Sequence, residues 1–243
     1  MDSMNDELRF SHTIVIDAGR RRVWEALTSP AERNNYVTTT NQTDMRPGGA
    51  FIEEFQYGPT RAGTFLVVDA PNCLVQENFV FDRGTSYRYY NRLTLGDHVG
   101  GTSVTVEVEG FSRNEAETWL RENMSVGWHT ELRVLKAYVE TGEDPRPALW
   151  KGVLMGLRFV TSRETGAPAG VRVIDVITGT PAEAAGLRQG DVITAVDGTK
   201  VAGFAEFRVQ VSQFSPGDTT SFSVWRDGDC ADRSLTFGSA IAA

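Results

Sequence analysis

Between Thr102 and Gly110 apolar and polar residues alternate strictly. Val104, Val106 and Val108 fall on one side, Thr105, Glu107 and Glu109 on the other. A period of two marks a strand with one face buried and one wet. Earlier runs rich in β-branched and aromatic residues, parted by turn signals, predict strands over Arg9–Asp17, Gly49–Tyr57, Arg61–Ala70, Leu74–Phe81 and Tyr87–Leu95. Between the first two, the pattern predicts a helix over Gly19–Leu27 ending at Ser29-Pro30, then a short turn of helix over Ala31–Tyr36. From Asn114 to Thr141 the period changes. Leu120, Met124, Trp128, Leu132, Leu135 and Val139 recur every three or four residues as one apolar stripe, and Gly142 suits the C-cap. Strand, short helices, antiparallel strands and a long helix make an α+β unit whose sheet must curl around that last helix.

The stretch TGEDPRPALWKG (Thr141–Gly152) breaks the pattern with two prolines within three residues. The junction is expected near Glu143–Leu149, dividing residues 1–147 from 148–243. Beyond it come short strands with glycine punctuation. Val171–Ile177 is β-branched. Thr180 as N-cap, Pro181 at the first helical position and Gly186 as terminator predict a helix of one or two turns. Arg188–Asp191 turns into a strand over Val192–Val196, and Asp197-Gly198 favours a tight hairpin. A second helix over Phe204–Phe214 ends at Ser215-Pro216-Gly217. Strands over Thr219–Arg226 and Ser234–Phe237 flank a turn at Asp227–Asp229.

Charge narrows the function classes. Residues 1–147 carry 15 Lys and Arg against 22 Asp and Glu, and the rest 9 against 10. An acidic front half argues against nucleic acid, whose binding rests on basic contacts to phosphate. No apolar run approaches the ~20 residues that cross a bilayer. The opening MDSMNDELRF is acidic and polar, without the basic-then-apolar order of a secretory signal, so a cytoplasmic location is expected. Cys73 and Cys230 are too few for a disulfide framework or a four-thiolate zinc site and read as two unpaired thiols.

Four motifs in the first part, RRVWEALTSPAERNNYV (Arg21–Val37), DMRPGGAFIEEF (Asp44–Phe55), GTFLVVDAPNCLVQENF (Gly63–Phe79) and GWHTELRVLKAYVETG (Gly127–Gly142), occur in order. They resemble the helix-grip (START/SRPBCC) superfamily, in the branch related to activators of the heat-shock-protein-90 ATPase. One departure is Asn35-Tyr36, where that branch has a tryptophan pair or Trp-Phe. The resemblance implies a cavity between sheet and long helix, holding an apolar small molecule or facing a protein client. Tyr87, Tyr89, Trp128 and His129 are the candidates for its lining. His12 lies in the first strand, and His98 is expected in an exposed glycine-rich turn, GDHVGG. Glu53 and Glu54 are adjacent on a strand and so point to opposite faces. No pair or triad has metal-ligand spacing, and no cofactor or catalytic residue is assigned.

In the second part, GVRVIDVITGTPAEAAGLRQGDVITAVDG with VAGF and PGDTTSFSVWRDG resembles a PDZ domain of the kind found in bacterial high-temperature-requirement serine proteases, a partly open β-barrel with two helices. The resemblance implies capture of a partner's C-terminal peptide. Its carboxylate would sit in a backbone loop and its chain would add as a strand. Leu154-Met155-Gly156-Leu157 fits the loop, with glycine where the anion approaches the backbone. A competing register uses Gly156-Leu157-Arg158-Phe159. Arg158 and Phe159 then begin the binding strand, and Val211 or Phe214 forms the floor. The second helix has no histidine, so an apolar C-terminal residue is expected. Asp227, Asp229 and Asp232 read as a solvated hairpin tip rather than a calcium loop.

No protease triad is present, because the first domain has no glycine-flanked nucleophile beside a base. The expected function is a non-catalytic two-domain adaptor. The alternatives are a cyclase- or hydrolase-like enzyme acting in the cavity, or a chaperone ATPase co-regulator. The apolar tail Ser239–Ala243 is expected to give weak self-association through a neighbour's groove.

Overall fold

The computed structural model describes residues 8–56, 60–82, 84–149 and 151–240. Tyr57, at the end of one expected strand, Trp150, and the last three residues of the tail, on which self-association rests, lie outside them. The chain divides into two compact units. One comprises the chain up to Arg113 with Met124–Arg146, the other Asn114–Asn123 with the chain from Pro147 onward.

The first unit runs β1 (Phe10–Ile16), α1 (Arg20–Thr28), α2 (Pro30–Tyr36), β2 (Thr40–Thr43), β3 (Ala50–Glu54), β4 (Arg61–Asp69), β5 (Cys73–Asp82), β6 (Thr85–His98) and β7 (Gly101–Glu109). The long helix α3 (Glu115–Thr141) follows, its residues to Asn123 belonging to the second unit and the rest to the first, and then a short α4 (Arg146–Leu149). Seven antiparallel strands lie in the order β1-β7-β6-β5-β4-β3-β2. The alternation in β7 is realised: Val104, Val106 and Val108 are fully buried, while Glu107 and Glu109 are exposed. Trp128, Leu132, Val134 and Leu135 of α3 are buried in this unit's core. Two polar ties fix the helix against β1: Lys136 Nζ donates to Val15 O at 2.6 Å, and Glu140 Oε1 accepts from Asp17 N at 2.7 Å. Gly142 ends the helix at φ 76°, its N–H on Tyr138 O.

Two local expectations are corrected. β2, sequence TNQT, has no apolar residue to announce it and forms the sheet edge on β3. His98 is the last residue of β6 rather than part of a turn. The hairpin tip is Val99-Gly100, with Gly100 and Gly101 both at positive φ.

The second unit contains β8 (Val153–Leu154), β9 (Leu157–Thr161), β10 (Val171–Val176), α5 (Pro181–Ala184), β11 (Val192–Val196), β12 (Thr199–Lys200), α6 (Phe204–Val211), β13 (Thr219–Arg226), β14 (Asp229–Thr236) and β15 (Gly238–Ser239). The main sheet is ordered β14-β13-β11-β10-β9, with β12 on β11, and β8 pairs with β15. Phe159, Phe204, Phe207 and Phe222 fill the core through successive ring contacts of 4.7–5.6 Å. Asp197 (φ 46°) and Gly198 (φ 76°) make the hairpin turn that the dipeptide announced. α6 stops at Val211, three residues early, and β14 starts at Asp229, so the final hairpin is longer than expected. Thr180 does precede α5, but its hydroxyl donates to Ile177 O instead of capping the helix.

Candidate functional site

The interior of the first unit holds a buried charged cluster where an apolar cavity was expected. Glu53 shares a strand face with Phe51 and is buried, whereas Glu54 is exposed. Its Oε1 accepts from Arg33 Nε at 2.8 Å and its Oε2 from Arg61 Nε at 2.7 Å; Asn41 Nδ2 adds a third donor at 3.2 Å. Arg33 Nη2 also reaches Glu131 Oε1 on α3 at 3.0 Å. Two guanidiniums and two carboxylates thus balance in charge. Burial alone would raise the Glu53 pKa, but Arg33 and Arg61 carry it below the ordinary carboxylate value. Burial would lower Arg33, yet Glu53 and Glu131 hold its pKa above the usual one.

Arg33, Asn41, Glu53 and Arg61, with Leu27, Phe65 and Trp128, line a void of about 20 Å³. That is room for one water, not for an organic ligand. Trp128 lies under the Arg61 guanidinium at 5.4 Å. Tyr89 is buried on the same sheet face, and burial pushes its pKa up to about 12. Tyr87 is half-buried further along β6. His129 is exposed and meets His12 edge-on at 5.6 Å, away from the residues that line the void. Tyr36, at the departure from the helix-grip motif, is fully buried. Its hydroxyl donates to Ala26 O, and its ring stacks on Tyr138 at 4.8 Å. Among the described residues no group of three or more His, Cys, Asp or Glu could hold a metal ion.

In the second unit, the carbonyls of Met155 and Gly156 are tied down, accepting from Ala182 N and Ile177 N, each at 2.9 Å. In a trans peptide the N–H points opposite to the carbonyl. The amides of Gly156 and Leu157 therefore face away from these anchors, as an anion-receiving loop requires. Gly156 holds φ 86°, and a Cβ there would run into the Thr180 side chain, so only glycine fits. β9 follows at once as the terminal strand of its sheet. Arg158 and Phe159 lie on it: Phe159 is buried against Phe204 and Phe207 of α6, and Arg158 is half-buried. Val211 closes α6 and is half-buried, while Phe214 lies past the helix end and stacks on Phe237 at 5.0 Å.

The signature GLRQGD has a structural role beside this loop. Asp191, 1% exposed, accepts from Arg188 N and from Arg226 Nε and Nη2, pinning the turn before β11 to β13. Sequence reasoning missed the interior Arg33, Glu53, Arg61 and Glu131. The available signal was parity, since Glu53 stands two residues after Phe51, and Arg61 two before Gly63 and four before Phe65.

Comparison with known proteins gives two family models, "Activator of Hsp90 ATPase homolog 1-like protein" over residues 17–140 and "PDZ domain" over residues 153–236. The chain is similar to a probable periplasmic serine protease do/HhoA-like of Haemophilus influenzae, 34% identical over 82 residues, covering 34% of this chain and 18% of that protein. It is also similar to a probable periplasmic serine endoprotease DegP-like of Hahella chejuensis, 34% identical over 110 residues, covering 44% of this chain and 23% of that one. The chain thus spans about a fifth of the length of these relatives. Among solved structures, protein MLL2253 from Mesorhizobium loti shares the fold with TM-score 0.50 at 18% identity, over 56% of this chain and 98% of that one.

Proposed function

From a chain that belongs to the Activator of Hsp90 ATPase homolog 1-like family over residues 17–140 and carries a PDZ domain over 153–236, we propose a non-catalytic two-domain adaptor, its domains meeting at residues 147–148, whose PDZ groove holds a partner's C-terminal peptide. The observation that carries this reading is the pair of outward-facing amides at Gly156 and Leu157, next to the terminal strand β9. Leu154–Leu157 takes the carboxylate, and Arg158, Phe159, Val211 and Phe214 border the chain that follows. An apolar last residue suits the aromatic floor that Phe159 begins.

For the helix-grip domain the reading is client binding rather than an enclosed ligand. The charged void of about 20 Å³ beside Glu53 is too small for an organic molecule, and the wider hollow of about 740 Å³ is lined by the exposed Leu66, Arg92 and Glu107. The outer sheet face exposes Ile52 and Phe79 in one row with Ala62 between them. Tyr87, Tyr89, Trp128 and His129 serve packing in this reading and not ligand chemistry. A cytoplasmic location is part of the proposal, supported by the two free thiols, Cys230 being exposed. No helix among the described residues is long and apolar enough to cross a membrane.

The test is calorimetric titration of the full chain with free-acid and C-terminally amidated versions of one apolar-ended peptide, chosen by display of random C-terminal heptapeptides. Binding confined to the free acid supports the reading; equal binding of both forms ends it. Family membership brings one second reading, chaperone co-regulation. Stimulation of an Hsp90 ATPase by the full chain would support it, and no effect at saturation would remove it.

A further inference from the structure

Glu115, Trp119 and Glu122 stand at i, i+4 and i+7 in the first turns of α3 and so share one face, a different face from the apolar stripe. All three belong to the second unit. Glu115 Oε1 pairs with Arg172 Nη2 of β10 at 2.5 Å. The Trp119 ring lies 4.3 Å from the Arg158 guanidinium. Glu122 Oε2 accepts from the backbone N–H of Thr161 at 2.8 Å, and its other oxygen is 3.7 Å from Arg163 Nη2.

The last of these contacts bears on the groove. Ser162 N donates to Gly170 O, toward β10. Alternation along β9 then turns the Thr161 and Phe159 amides to the open side, where an added strand would place its carbonyls. A peptide anchored at Gly156-Leu157 meets Phe159 first and Thr161 two residues further from its carboxyl end. The Phe159 rung serves even a tripeptide. The Thr161 rung serves only longer ones, and Glu122 already occupies it.

We propose that the first turns of α3 are an internal competitor for the upstream part of the PDZ groove, with Glu122 holding the Thr161 amide against any peptide long enough to reach it. This rests on the peptide-binding reading above. Release needs only a rotation of the Glu122 side chain, which leaves the Glu115 and Trp119 contacts in place. The groove then distinguishes partners by length: short C-terminal contacts are made freely, and extended ones only by displacing Glu122.

The experiment uses the full chain as wild type, Glu122→Ala and Glu122→Gln. The probes are the display-selected free-acid heptapeptide, its last three residues alone, and the amidated form of each, read by fluorescence anisotropy. Freeing a charge-assisted hydrogen bond at the groove should tighten heptapeptide binding about tenfold in Glu122→Ala and leave the tripeptide unchanged. Glu122→Gln keeps an acceptor oxygen and should stay near wild type. Unchanged or weaker heptapeptide binding in Glu122→Ala overturns the proposal, as does an equal gain for both lengths. If no protein prefers free acid to amide at either length, the peptide-binding reading itself fails. Circular dichroism and melting of the three proteins separate these outcomes from misfolding.

Discussion

Arg33 Nε donates to Glu53 Oε1 across 2.8 Å in the interior of the first unit, with both side chains about 5% exposed. Neither charge has water to fall back on, and Glu53 also accepts from Arg61. Removing one member of such a set leaves the others uncompensated. Glu53→Ala should therefore cost about 3–5 kcal/mol in urea unfolding. Adding Arg33→Met, Arg61→Met and Glu131→Gln to it, so that no member of the set is left unpaired, should recover most of that loss. A quadruple variant no more stable than the single one would show that these charges do not depend on one another.

His12 should make stability depend on pH before the carboxylates do. Its Nε2 lies 2.9 Å from Ser125 Oγ, and the rings of Phe10 and His129 stand beside it at 5.6 Å. Burial first, and His129 second, hold its pKa below the ordinary 6.5. The unfolded chain therefore binds its proton first as pH falls. Stability is fully present above 6.5 and is lost as pH drops toward the lowered folded value. The urea midpoint should fall between about pH 7 and about pH 5, and His12→Asn should flatten that slope. Glu53, with its pKa held below the ordinary carboxylate value by Arg33 and Arg61, adds a loss of the same sign only at lower pH.

The fold was legible where local physics decides. Alternation gave β7, the three-to-four spacing gave α3, and Asp197-Gly198 gave its turn, because each signal is written in the residues that form the element. What went unread depends on residues far apart in sequence. An acidic residue on an alternating strand ordinarily faces water; Glu53 faces inward because Arg33 and Arg61 meet it from α2 and β4, with Glu131 of α3 taking up the other side of Arg33. β2 is polar because it completes an edge rather than a core. In the second unit the Gly156 turn is written in its own glycine, but the Glu122 contact with Thr161 is not. A helical stripe says which residues share a face and not which amide they meet.

Asp191 and Arg226 should respond unequally to mutation. Asp191 is 1% exposed and Arg226 26%, so a deserted arginine can reach water while a deserted aspartate cannot. Arg226→Met should cost about 2–3 kcal/mol and Asp191→Asn less. The double variant should be no worse than Arg226→Met alone. Chemical denaturation of the four proteins checks the order, and equal single-mutant costs would contradict the asymmetry.

Gly156→Ala should separate the loop's chemistry from its stability. At φ 86° an alanine pays about 1–2 kcal/mol for the left-handed conformation, and its Cβ would also press on the Thr180 side chain. Relief of that contact must swing the Gly156 and Leu157 amides away from where a carboxylate would sit. Free-acid peptide affinity should drop more than about tenfold, to the level of the amidated peptide, since a charge-assisted hydrogen bond alone is worth that much. The control is Gly217→Ala, at φ 91° with open space around its Cβ position. It carries the same backbone penalty in the same unit without the clash, so it should lose about 1–2 kcal/mol of stability and keep peptide binding. Equal binding losses in the two variants would mean that the unit merely loosens, and that Gly156 has no special place beside the carboxylate.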